Sequence, residues 1–130
     1  MFRIVGDKVN PEEITKATGI TPVRAFSKGE EYKNKKGEVH NKPIGHWSIS
    51  SEFKMRSTSV EKHAKYILGL LEPKSKKILP YVENDNFRTS IVFWWEAKSG
   101  HGGYTVSSDT FARLCRLCND FDYQFIGGPE

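Results

Sequence analysis

Apolar and polar positions alternate in several short runs of this chain, and in two longer stretches the apolar ones recur at helical spacing. Phe2 and Ile4 flank Arg3, which predicts a short strand with one buried face. Asn10-Pro11-Glu12-Glu13 then announces a helix. Asn10 can accept a free backbone N–H, proline suits the first helical position, and Glu13 stands where a capping-box acid belongs. Ile14 and Ala17 supply its buried stripe, and Gly19 ends it. Val23 to Phe26 predicts a second strand. The polar, glycine-punctuated stretch from Ser27 to Glu38 predicts an exposed loop or hairpin. Alternation resumes at Gly45–Ser51, with Trp47 and Ile49 on one face and serines on the other.

Thr58-Ser59-Val60-Glu61 has the form of a capping box, and Val60, Ala64, Ile67, Leu68 and Leu71 follow as one apolar stripe. Pro73 ends that helix and permits a short second one through Ile78 and Leu79, which Pro80 should interrupt. Phe87 to Ala97 is the longest strand pattern. Ile91, Phe93 and Trp95 point one way and Val92 and Trp94 the other, so the strand should be central or covered on its second face. Ser99–Gly103 predicts a turn, with Tyr104–Val106 as a hairpin partner. Ser107 or Ser108 caps a last helix whose face holds Phe111, Leu114, Cys115 and Cys118, and Phe121–Phe125 alternates once more.

The predicted order is β-α-β-β-α-β-β-α-β. It implies a single α+β domain over residues 1–130, with a mostly antiparallel sheet carrying helices on one face and a partly ferredoxin-like topology. Length agrees: 130 residues suit one domain. Sixteen aromatics among these residues can repay chain ordering through burial. No apolar run reaches the roughly 20 residues of a membrane helix, and the start has no apolar signal core. Two cysteines fit a reduced, cytoplasmic setting. The net charge of +4 is uneven: residues 1–65 carry 13 basic and 8 acidic side chains, residues 66–130 carry 7 and 8.

Taken in order, the punctuation resembles a bacterial family, domain of unknown function four-two-seven-nine. The resemblance rests on Phe2-Arg3-Ile4 with Gly6-Asp7, Asn10 to Ile14, Gly19-Ile20-Thr21-Pro22 and Lys28-Gly29. It continues through Gly45 to Ile49, Leu70-Leu71-Glu72-Pro73, Gly103 to Ser107 and Phe121-Asp122-Tyr123. It implies a small free-standing protein and transfers no catalytic residue. Such relatives look similar to the small immunity proteins that neutralise toxins between competing bacteria.

Candidate chemistry is sparse. Cys115-Arg116-Leu117-Cys118 lacks the further ligands zinc needs and lies at the end of a helix rather than its start, so core packing explains it better than metal or redox work. His40, His46, His63 and His101 lack the spacing that points two rings at one metal. Asp7, Glu12 and Glu13 are explained as helix-start acids. Gly100, Gly102 and Gly103 precede a strand, not the helix a dinucleotide loop needs. No cofactor and no metal is expected.

The favoured function is protein binding, with a toxin as the partner the resemblance suggests and the chain itself a monomer or homodimer. The expected partner-binding residues are Arg24, Lys28, Tyr32 and Trp94. One alternative is a nucleic-acid or nucleotide binder using the basic loop 28–42, where Lys33, Lys35, Lys36 and Lys42 lie near Tyr32 and His40. Lys74, Lys76 and Lys77 form a second basic stretch. Another alternative is an enzyme whose site gathers Asp7, His46 and Glu52 in one cleft.

Overall fold

The computed structural model describes residues 1–52, 54–97 and 104–127. The turn expected over Ser99–Gly103, with its glycines and His101, lies outside them. In chain order the elements are β1 (Phe2–Gly6), α1 (Pro11–Thr18), β2 (Arg24–Phe26), β3 (Glu31–Lys33), β4 (Val39–Asn41) and β5 (Gly45–Ile49). Then come α2 (Val60–Leu71), a 3-10 turn at Glu72–Lys74, α3 (Ser75–Glu83), β6 (Arg88–Ala97), α4 (Ser108–Cys115) and β7 (Asp120–Gly127).

Five strands form the main sheet in the order β2-β5-β1-β6-β7. The pairs β2–β5, β5–β1 and β1–β6 are antiparallel, and β6–β7 is parallel. Hence β1 and β2 run parallel, joined through α1, with β5 inserted between them. Likewise β5 and β6 run parallel, joined through α2 and α3, with β1 between them. Two interleaved split βαβ units make the ferredoxin-like part. A third crossover through α4 adds β7 at the edge, as parallel pairing requires. The polar stretch after β2 is the two-stranded β3–β4 hairpin.

Local signals act where they were read. The Glu13 amide donates to Asn10 Oδ1 at 3.2 Å, and Gly19 closes α1 in the left-handed conformation at φ 69°. Ser107 caps α4 by accepting the Thr110 amide. One cap moves. Ser59, not Thr58, caps α2, so Glu61 is released from a capping box and reaches across to α4.

Two elements differ from expectation. Tyr104–Val106 forms no strand: the edges of β6 are already taken by β1 and β7. Tyr104 and Val106 pack on the core instead, with the Tyr104 ring stacked on Phe93 at 5.8 Å. Proline 80 does not interrupt α3, which runs through it to Glu83. Pro80 cannot donate to the Lys76 carbonyl, but both residues are exposed, so water can satisfy that oxygen.

The core lies on one face of the sheet. Phe2, Ile4, Trp47, Ile49, Ile91 and Phe93 point there and are covered by Ile14, Leu68, Leu71, Ile78 and Leu114 from the four helices. Each fully buried side chain of this size contributes roughly 1.5–3 kcal/mol. The Trp47 indole N–H donates to Thr15 Oγ1 at 3.1 Å, so the largest core residue leaves no orphan donor. Gly6 and Gly45 face each other at one end of the β1–β5 pair. A Cβ on Gly45 would stand 2.7 Å from both the Gly6 carbonyl oxygen and the Val9 Cβ.

Candidate functional site

The other face of the sheet carries no helix among the described residues. Alternation along each strand brings Arg24 and Phe26, His46 and Ser48, Arg3 and Val5, Arg88 to Trp94, and Asp120 to Gln124 to this side. One row across it reads Arg24, Ser48, Arg3, Ser90, Asp120. Ser48 and Ser90 are buried, lying between the longer side chains that flank them.

The two ends of this face differ in charge. Toward β7 the cations are paired: Arg3 donates to Asp122 at 3.1 Å, and Arg88 forms a two-pronged ion pair with Asp120. Toward β2 they stack on rings. The Lys42 ammonium lies 4.2 Å from the Phe26 centroid and 3.9 Å from that of Tyr32, tying the hairpin to β2. The Arg24 guanidinium sits 5.3 Å from Phe26, whose ring also stacks on His46 at 5.2 Å. Among the described residues neither Arg24 nor Lys42 has a carboxylate partner. His46 titrates below its ordinary value, through burial first and then the positive charges of Arg24, Arg3 and Lys42. This corner is a positively charged aromatic cluster.

A cavity of about 710 Å3 opens at the opposite end of the sheet from the Gly6–Gly45 pair. Met1, Val92 and Trp94 line it together with Ile67, Phe93 and Leu114, and Ser50, Glu52 and Met55 after β5 also border it. Ser51 and His63 line it. Their side chains are 2.6 Å apart, Oγ to Nδ1, and His63 Nε2 is 2.7 Å from the Ser57 carbonyl oxygen. A carbonyl only accepts, so Nε2 carries the proton. In the neutral ring Nδ1 then accepts from the Ser51 hydroxyl.

A family model described as Domain of unknown function (DUF4279) matches residues 1–125. The chain belongs to that family. No curated protein and no solved structure matches it.

On this DUF4279 chain the four expected partner-binding residues fall in three places. Arg24 and Tyr32 both belong to the cationic cluster: Arg24 lies over Phe26, and Lys42 bridges that ring to Tyr32. Lys28 stands in the turn after β2 and pairs with Asp7 at 3.3 Å. Trp94 lies on the same sheet face, 50% exposed. Three strand spacings and four residues separate it from the Arg24 row, about 20 Å diagonally. Phe26, Lys42 and His46 complete the cluster; the sequence points to Lys42 as part of the basic loop and to His46 as part of an enzyme site, and nothing local joins the three.

Asp7, His46 and Glu52 do not converge. Asp7 follows the Gly6 end of β1, and Glu52 lies three residues beyond the Ile49 end of β5, so the sheet length separates them. Nor do the cysteines both pack in the core. Cys118 is buried, and its thiol is pushed up to about 12, chiefly by burial; Cys115 is exposed. Among the described residues no group of three or more His, Cys, Asp or Glu could hold a metal ion. No helix there is long and apolar enough to cross a membrane.

Proposed function

We propose that this DUF4279 chain is a protein-binding module that docks its partner on the helix-free sheet face, an immunity-type role being the narrower form of the reading. The supporting observation is the cluster of Arg24, Phe26, Tyr32, Lys42 and His46, where two cations, without carboxylate partners among the described residues, lie over aromatic rings at the edge of a wide sheet surface. Arginine and aromatic side chains are the groups that most often dominate binding energy at protein interfaces. Charge complementarity selects the occupant: a folded protein presenting carboxylates to the β2 corner, with an apolar group toward Trp94. The two free cysteines are consistent with a reducing, cytoplasmic setting.

Nucleic acid fits less well. A base-stacking platform needs open rings in the middle of the sheet. Here the central strands β5 and β1 present His46, Ser48, Arg3 and Val5, and the Phe26 ring is already engaged by His46, Lys42 and Arg24. At the other edge Arg3 and Arg88 are already engaged by Asp122 and Asp120, so they are not free to hold phosphates.

The test is capture by tagged protein from nuclease-treated lysate of its source cells, run with wild type and with Arg24→Glu combined with Lys42→Glu. The reading expects one stoichiometric protein that survives nuclease and is lost from the variant. Capture that collapses with nuclease, or that the charge reversal leaves intact, contradicts it.

A further inference from the structure

We propose that Ser51 is an activated nucleophile with His63 as its general base, and that the cavity they line takes a small neutral carboxylic ester with an apolar acyl group. The reacting pair, Ser51 and His63, takes no part in docking on the sheet face, although Trp94 borders both places. Three groups stand in the order that nucleophilic catalysis needs: hydroxyl, imidazole, and an acceptor that orients the imidazole. The Ser51 hydroxyl donates to His63 Nδ1 over 2.6 Å, and His63 Nε2–H donates to the Ser57 carbonyl over 2.7 Å. The second bond selects the tautomer that leaves a lone pair facing the serine, and it would support the imidazolium that forms on proton transfer.

Both side chains are held in place. The Ser51 carbonyl accepts the amides of Lys54 and Met55, fixing the turn after β5. His63 sits on α2, and the Ser57 hydroxyl accepts the amide of the α2 cap, Ser59, which steadies the orienting residue. A serine and histidine that merely pinned this segment would need no room beside the hydroxyl. Here the same pair borders a cavity of about 710 Å3, a size in the range of small-molecule sites. Ile67, Phe93 and Leu114 offer apolar walls for an acyl chain. Glu52 on the rim disfavours an anionic substrate.

The chemistry balances without a cofactor. Ser51 Oγ bonds to the ester carbonyl carbon as its proton passes to His63 Nδ1. The bond to the leaving alcohol oxygen breaks, and that oxygen takes the proton from His63. Water then attacks the acyl-Ser51 carbonyl carbon and gives a proton to His63. Collapse releases the carboxylic acid and returns the proton to Ser51.

The probe is an alkyl fluorophosphonate with the purified chain, read by intact mass and peptide mapping. An Oγ–P bond forms, fluoride leaves, and His63 takes the proton. One adduct on Ser51 is expected in wild type, and none on that peptide in Ser51→Ala. His63→Gln should label roughly 100-fold more slowly. No adduct on Ser51 of the wild type, or an unchanged rate in folded His63→Gln, would overturn the proposal.

Discussion

The two faces of the main sheet solve different problems with the same backbone. On one, Phe2, Ile4, Trp47, Ile49, Ile91 and Phe93 are almost wholly removed from water by four helices. On the other, the same strands alternate to Arg24, His46, Arg3, Arg88 and Trp94, and charge is handled by ion pairs and ring contacts instead of burial. The first face accounts for stability, and the second is free for recognition. Period-two alternation forces this division, because moving any strand by one residue would exchange the two sets.

Substitutions on the two faces should therefore separate cleanly. The largest loss is expected for Trp47→Ala, which opens a cavity in the core and leaves Thr15 without its indole partner. About 3–5 kcal/mol should be lost in denaturant melts. Gly45→Ala should cost about 1–3 kcal/mol in the same assay, since its Cβ would press on the Gly6 carbonyl and on Val9.

Glu61 offers a finer test of the helix side. It accepts the Ser107 amide at 2.7 Å and the Thr110 hydroxyl at 2.6 Å, which fastens the start of α4 to α2. The hydroxyl bond first, then the amide, hold its carboxyl down to about 2, below an ordinary value of 4.5. A lowered carboxylate value contributes stability that is complete above the unfolded value and disappears as pH falls through the folded one. Wild type should thus exceed Glu61→Gln in stability at pH 7. The gap should narrow between pH 4.5 and pH 2, as followed by thermal melts across that range. The smallest effect is expected for Trp94→Ser: half exposed on the open face, it should change stability by less than about 1 kcal/mol.

Much of the helix side was legible in the sequence because its signals are local. Asn10, Gly19 and Ser107 act on backbone groups a few residues away, and the α2 stripe recurs within one helix. Alternation over Tyr104–Val106 predicts a strand, but three residues say nothing about which strand edge is vacant. The Thr58 box does not form because Glu61 has better partners in the α4 cap and first turn, 46 and 49 residues away. The open face was less legible still. Lys42 meets Phe26 and Tyr32 only because the hairpin folds back toward β2, and Ser51 meets His63 only because the segment after β5 returns to α2. No spacing rule in the chain encodes either meeting.

The most direct test of the division of labour is the affinity of the captured partner for Arg24→Ala combined with Trp94→Ala, measured by calorimetric titration beside a thermal melt. The account predicts at least a tenfold weaker complex with the melting transition retained. Unchanged affinity in the folded double variant would contradict it and remove the helix-free face as the docking surface.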